Sequence, residues 1–310
     1  MGECTIAVTI RSFDYDGRAM AKLRGHCTVG YVNSTGRRLE EGELMEAIGR
    51  AEGVIAGTEP FSRRVMDASP GLRAISRVGT GTDSIDLPAA SARGIQVFTT
   101  PEAPVQAVAE HTLALVLALS KRICPYNQEM RTGLERTVPG TLLSGKTAGI
   151  VGFGRIGSRV ASMLSSLGCR VLVHDPLVGR RAVEGVDFAK SLEDLAGRAD
   201  IITLHAAPEA HGKPIFDDRI FSLCRKGVLF INTARGSLVD EKALASAIMN
   251  GTVAGAGLDV FSREPYSGPL LGFPQVIATP HVASNTLETR ERMEMEAVEN
   301  LIRGLSGRSQ

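Results

Sequence analysis

Short runs of β-branched and apolar residues alternate with stretches of helical periodicity along the first third of the chain. Thr5 to Ile10, Thr28 to Val32, Gly53 to Gly57, Arg73 to Val78 and Ile95 to Phe98 have the character of buried strands. Strands separated in this way by helical segments predict a parallel α/β sheet. After Pro101 the pattern changes to one long helix, Val105 to Arg122, with apolar residues nearly all round it. Such a helix has to be covered on several sides, by another domain or by a second subunit.

A second alternating series follows. Thr147 to Val151, Arg170 to His174, Asp200 to Leu204, Gly227 to Ile231, Ala254 to Leu258 and Val276 to Ala278 are strand candidates, with helices at Ile156 to Leu167, Leu192 to Arg198, Asp217 to Leu223 and Glu241 to Met249. Six strands with crossovers predict a doubly wound sheet. The stretch from Thr137 to Gly145, with Pro139 and Gly140, reads as the connection into it. The tail from Thr286 to Leu305 reads as one helix, carrying Leu287, Met293, Val298, Leu301 and Ile302 among many charges, and is expected to fold back on the first domain.

Composition narrows the partners. With 35 basic against 34 acidic residues in a chain of 310, 43% of it apolar, there is no bulk field to attract nucleic acid or an anionic membrane, so the expected partner is a small molecule held at a local site. The five cysteines form no C-x-x-C pair, which argues against a metal site or a disulfide framework and suits a reducing compartment. The N-terminal β-like run is not expected to be a signal peptide, Met1 to Ile6 fails the myristoylation pattern, and the longest apolar stretch, Thr112 to Leu119, is well short of the roughly 20 residues that span a bilayer. The cytoplasm is the expected location.

Local chemistry then singles out Gly152-Phe153-Gly154-Arg155-Ile156-Gly157, which directly follows the strand candidate Thr147 to Val151 and opens a helix. In that context Gly152 permits a tight turn, Gly154 lets backbone approach a pyrophosphate, and Gly157 lets helix and strand pack closely. Asp175 follows at the end of the next strand, roughly 20 residues on, where an acidic side chain would accept hydrogen bonds from the adenosine ribose hydroxyls and repel a 2′-phosphate. This predicts NAD over NADP. Arg180 and Arg181 follow closely and would loosen the preference if they reached the ribose.

Several further motifs occur in a fixed order: Val78-Gly79-Thr80-Gly81-Thr82-Asp83-Ser84-Ile85-Asp86-Leu87, Ala109-Glu110-His111-Thr112, Leu143-Ser144-Gly145-Lys146-Thr147, Asn232-Thr233-Ala234-Arg235-Gly236, Gly257-Leu258-Asp259-Val260-Phe261, Arg263-Glu264-Pro265 and Pro280-His281-Val282-Ala283. Together with the glycine turn they make the chain similar to the D-isomer-specific 2-hydroxyacid dehydrogenases, nearest the phosphoglycerate dehydrogenase branch. The resemblance implies two Rossmann-like domains: a doubly wound NAD domain, residues 100–283, inserted in a discontinuous flavodoxin-like substrate domain, residues 1–99 and 284–310, with the active site in a cleft that closes on substrate. The nearly all-apolar helix after Pro104 suggests a homodimer interface.

The implied reaction moves a hydride between C2 of a small anionic 2-hydroxy acid and the nicotinamide. His281, just after a strand candidate, suits the acid/base because imidazole titrates near neutrality. Glu264 would fix its tautomer and stabilise the imidazolium, and Arg235 offers a planar fork for the substrate carboxylate. Cofactor contacts implied by the resemblance are Gly152, Gly154, Arg155, Ile156, Gly157, Asp175, His205, Thr233, Ala234, Asp259 near the nicotinamide carboxamide, and Ala283. Substrate contacts are the backbone N–H groups of Val78, Gly79 and Thr80, with Arg77 placed near a substrate phosphate.

Two segments depart from the branch. Ala56-Gly57-Thr58 stands where phosphoglycerate enzymes of the human type place a further arginine, with Arg63 and Arg64 as possible substitutes, and Pro101-Glu102-Ala103-Pro104 replaces an Asn-rich turn. A serine-sensing regulatory domain is not expected. Candidate substrates are therefore 3-phosphoglycerate with 3-phosphohydroxypyruvate, or hydroxypyruvate, glyoxylate or another 2-keto acid. A different class, the non-catalytic NAD sensor exemplified by the C-terminal-binding-protein corepressors, stays open as the alternative.

Overall fold

The computed structural model describes residues 4–133, 138–178, 184–208 and 212–307. Arg180, Arg181, Thr137 and residues 1–3 lie outside the described residues. The chain divides into two compact units, Met1–Pro104 with Asn285–Gln310, and Val105–Ser284.

The first unit is built on five parallel strands, β1 (Thr5–Val8), β2 (Thr28–Val32), β3 (Gly53–Ala56), β4 (Ala74–Arg77) and β5 (Gln96–Phe98), in the order β2-β1-β3-β4-β5. Helices α1 (Arg18–Arg24), α2 (Glu41–Ile48), α3 (Arg63–Asp67) and α4 (Leu87–Ala92) make the crossovers. Both faces of the sheet are covered, which is why its strands read as continuous apolar runs. On β3, Val54 and Ala56 enter the core with Leu44, Phe61 and Met66, while Ile55 enters the opposite core with Ile6, Val8 and Leu301. The C-terminal helix, Leu287–Ser306, closes that second face with Met293, Ala297, Val298, Leu301 and Leu305, and Ser76 Oγ donates to Ala297 O at 2.7 Å. Leu287 departs from the expected apolar stripe: at the first helical position it is 88% exposed.

The second unit opens with α5 (Val105–Ser120) and α6 (Ile123–Arg131). The expected single helix to Arg122 is broken because Arg122 takes a left-handed conformation, φ 55°. Then come β6 (Thr147–Val151), α7 (Arg155–Ser166), β7 (Arg170–His174), β8 (Val186–Phe188), α8 (Leu192–Arg198), β9 (Ile201–Leu204), α9 (Asp218–Leu223), β10 (Val228–Asn232), α10 (Glu241–Met249), β11 (Val253–Leu258) and β12 (Val276–Ala278). All pair in parallel, in the order β12-β11-β10-β9-β6-β7-β8. The described residues form seven strands where the sequence pattern suggested six; the addition is the three-residue edge strand β8. The order reverses at β6, whose neighbours are β9 and β7, and a crevice at such a switch point is where open α/β sheets bind ligands. Helix α5 lies on this sheet, with Ala109, Leu115 and Val116 in one core with Ile150, Val160 and Leu164.

Candidate active site

The glycine turn leaves β6 at the switch point. Gly152 has φ +90°, and a Cβ there would sit 2.6 Å from Ala206 N, so position 152 excludes other residues both by conformation and by space. At Gly157 a Cβ would fall 2.0 Å from Gly152 O, which lets α7 press against the turn. Gly154 differs: nothing lies within 4 Å of its Cβ position. It is the N-cap of α7 without a side-chain cap, and the first turn of α7 carries no acid. An open, uncapped N-terminus of a twelve-residue helix fits a pyrophosphate. Arg155 and Ile156 occupy its first turn, Arg155 exposed and Ile156 half-buried.

Asp175 closes the cradle. Its Oδ2 accepts the Phe153 N–H at 2.7 Å and its Oδ1 accepts the Leu177 N–H at 2.8 Å, so the carboxylate is fixed at the rim of the glycine turn. His205 follows β9 and packs its Cβ 3.3 Å from the Cβ position of Gly157. Its Nε2 lies 2.9 Å from Thr203 Oγ1, and burial pushes its pKa down to about 3, which keeps the ring neutral.

After β10, Asn232 clamps the turn that follows. Its Oδ1 accepts the Ala234 N–H at 3.0 Å and its Nδ2 donates to Arg235 O at 2.9 Å. Thr233 is held from α5: Thr112 Oγ1 donates to Val108 O, which leaves the Thr233 hydroxyl to donate to Thr112 Oγ1 at 2.8 Å. Arg235 donates to Ala234 O at 2.7 Å and is half-buried. At Gly236 a Cβ would collide with Phe261 C, so the Arg235 turn lies directly against the segment leading to Glu264.

The structure brings Arg235, Glu264 and His281 together. His281 Nδ1 lies 2.9 Å from Glu264 Oε2, a geometry in which Nδ1–H donates and Nε2 is left to face a ligand. Burial pushes the Glu264 carboxyl up, but the hydrogen bond and charge of His281, the Phe261 N–H and the Arg235 charge outweigh it and hold it below the usual value. His281 has φ +54°.

Asp259, expected beside the nicotinamide, is fully buried and holds the loop that carries His281. Its Oδ1 accepts from Thr279 Oγ1 at 2.6 Å and from Val282 N at 2.9 Å, and its Oδ2 accepts the Ala283 N–H at 2.9 Å. His281 N donates to Asp259 O at 2.8 Å. His111 Nε2, on α5, stands 3.1 Å from Thr279 Oγ1 and extends the network. The sequence reading therefore missed Thr279, Asn232, Thr112 and His111 as positioning residues. Asn232, His111 and Thr112 stood within quoted motifs, but side-chain polarity alone carries no signal of which groups they hold.

The loop after β4 corrects one expectation. The Val78 N–H donates to Ala56 O at 2.9 Å and the Gly79 N–H to Thr100 Oγ1 at 2.7 Å, so neither is left for a substrate carboxylate. Thr80 is exposed, and its N–H takes no partner among the described residues. Arg77 Nε donates to Gly57 O at 3.3 Å, and its guanidinium crosses Gly79, where φ is +126° and a Cβ would fall 1.8 Å from Nη1. Arg64 pairs with Glu41 at 3.6 Å and Arg63 is exposed on the first turn of α3. Among the described residues no cluster of His, Cys, Asp or Glu could hold a metal, and no helix is long and apolar enough to cross a membrane.

Residues 113–283 match the family model of the D-isomer specific 2-hydroxyacid dehydrogenase, NAD binding domain. The D-3-phosphoglycerate dehydrogenase of Mycobacterium leprae is 36% identical over 271 residues, 86% of this chain and 51% of that protein, so the chain spans about half the length of these curated relatives. The glyoxylate reductase of Thermofilum pendens is 38% identical over 263 residues, 81% of this chain and 77% of that protein. Among solved structures, the TT0316 protein from Thermus thermophilus superposes with a TM-score of 0.89 at 36% identity, covering 98% of this chain and 97% of that one. On the family model, these identities and the shared fold, the chain belongs to the D-isomer specific 2-hydroxyacid dehydrogenase family.

Proposed function

We propose that the protein is an NAD-dependent dehydrogenase that interconverts a D-2-hydroxy acid and its 2-keto acid. The observation that carries this reading is the Arg235, Glu264 and His281 constellation, on the same unit as a glycine cradle open at Gly154. NAD binding is assigned to the unit Val105–Ser284 and substrate contacts to the loop after β4 in the other unit.

Gly152 to Gly157 and Asp175 would hold the dinucleotide, which would supply or accept a hydride when bound. The chain's own residues do the rest. Arg235 aligns the substrate carboxylate and polarises the C2 carbonyl, as a planar cation with several donors is suited to do. Nε2 of His281 gives its proton to the carbonyl oxygen during reduction and takes it from the hydroxyl during oxidation. Glu264 accepts from Nδ1 throughout, which fixes the tautomer and stabilises the imidazolium. Thr80 N–H is the proposed backbone donor to substrate, and Asp175 is the proposed basis for preferring NAD to NADP.

A homodimer belongs to this reading. Ile123 and Met130 on α6, 54% and 75% exposed, and Leu142, 71% exposed, support an interface beside α5, and a monodisperse monomer at micromolar concentration would refute it. The direct test is loss of NADH absorbance with 3-phosphohydroxypyruvate, hydroxypyruvate and glyoxylate, with NADPH in parallel. Turnover of at least one acid is expected, and His281→Ala is expected to lower kcat by about 10²- to 10⁴-fold while NADH still binds. Full activity in that variant would refute the assignment of His281.

A further inference from the structure

The five cysteines are scattered along the chain with no spacing that marks a pair, yet the first sheet sets two of them side by side. β1 and β2 run parallel with Thr5 opposite Thr28 and Ile6 opposite Val29, and the Thr28 N–H donates to Cys4 O at 2.9 Å. Cys4 stands directly before Thr5 and Cys27 directly before Thr28, so the two face each other at the amino ends of the strands. Alternate residues of a strand share a face. Ile6 and Val29 belong to the core closed by the C-terminal helix, and two positions back Cys4 and Cys27 pack against that same core. Both are half-buried, and neither is in a disulfide. The Cys4 thiol donates to the carbonyl of His26, the residue before Cys27, at 3.9 Å. The Cys27 thiol is pushed up to about 12, first by burial and then by a hydrogen bond with the Cys4 side chain, so the two sulfurs meet.

We infer that Cys4 and Cys27 are a reversible disulfide site: exchange with a low-molecular-weight disulfide links the amino ends of β1 and β2 and locks the edge strand of the first sheet. Neighbouring strands lie about 4.8 Å apart. A disulfide requires Cα atoms about 4.4–6.8 Å apart with the Cβ atoms turned to the same side, and facing positions on paired strands meet both demands. The Cys27 thiol stays protonated at neutral pH, so Cys4 is the attacking sulfur. It displaces one thiol of the small disulfide and is left bonded to the other half. The Cys27 sulfur, giving its proton to the departing thiolate, then attacks the Cys4 sulfur and releases the second thiol. Two protein thiols are oxidised to one disulfide and the small disulfide is reduced to two thiols, so electrons and protons balance. The bond closes the loop from 4 to 27, which contains α1, and ties down β2, the outermost strand. Closing that loop restricts the unfolded chain and so stabilises the unit.

The test incubates the folded protein with glutathione disulfide and maps its disulfides by peptide mass spectrometry without reduction, in the wild type and in Cys27→Ser. In the wild type a peptide joining Cys4 to Cys27 is expected, and dithiothreitol should reverse the link. The oxidised wild type should unfold at a midpoint about 5 °C or more above the reduced form. Cys27→Ser should stop at a glutathione adduct on Cys4, with no such rise. The exposed Cys124 reacts alike in both proteins and cancels in the comparison. Should Cys27→Ser fail to fold, the wild-type map and midpoint alone decide. Thiols at 4 and 27 that stay reduced, or a wild-type Cys4 that keeps its glutathione adduct, would overturn the inference. A link that leaves the midpoint unchanged would overturn the locking of β2. None of these outcomes touches the dehydrogenase reading, which is tested by turnover.

Discussion

Gly236 touches Phe261 backbone to backbone, so closely that a Cβ on Gly236 would fall 1.8 Å from the Phe261 carbonyl carbon. This contact couples the turn that carries Arg235 to the segment that leads to Glu264. Replacing Gly236 by Ala is expected to destabilise the unit by about 1–3 kcal/mol, the range for overpacking a filled site, because the clashing atoms are main chain and cannot rotate away. Denaturant unfolding measures the loss, and kcat/KM should fall with it as the arginine moves away from the Glu264 loop.

Asp259 acts on the reaction through His281. An Asn at 259 would keep the shape but turn an NH₂ toward at least one of the donors Val282 N–H, Ala283 N–H and Thr279 Oγ1 that now point at the carboxylate. A buried donor left without an acceptor costs about 1–3 kcal/mol. Asp259→Asn should therefore lower both the melting temperature and kcat, with the KM for NADH changing less than kcat.

The Glu264 carboxyl, held below its usual range, gives stability with a defined pH signature. A depressed carboxyl contributes above its unfolded-state value, and the contribution disappears as pH falls through the lower folded-state value. The melting temperatures of wild type and Glu264→Gln should thus differ at neutral pH and converge in acid, below the usual carboxylate range. For catalysis, losing the carboxylate removes the acceptor of His281 Nδ1, so kcat should fall in Glu264→Gln.

Asp175 carries the predicted cofactor preference. Substituting Ser removes the repulsion toward a 2′-phosphate and also the acceptor of the Phe153 N–H. The NADPH-to-NADH ratio of kcat/KM is expected to rise at least about tenfold. An unchanged ratio would show that the selectivity lies elsewhere on the unit.

What was legible in the chain is what depends on neighbours in sequence. β6, β7 and β12 begin and end where the apolar runs begin and end, and Gly152, Gly154 and Gly157 announce a turn whose geometry is local. What was not legible depends on partners far along the chain. The Gly79 N–H was expected to bind substrate, but its acceptor, Thr100 Oγ1, lies 21 residues on. Asp259 has the look of a site residue in sequence, and only burial shows that it faces residues 279–283. The end of α5 was missed because Arg122 takes a conformation in which glycine would have been the signal.

The φ of +54° at His281 has a consequence for how the protein evolves and how it can be engineered. A residue with a Cβ holds that conformation at a cost of roughly 1–2 kcal/mol, from which glycine is exempt. Folding and turnover therefore favour different residues at position 281. A screen that selects for thermal stability alone should drift toward glycine there and discard activity without any visible damage to the fold, whereas a screen that selects for turnover has to retain the less comfortable backbone.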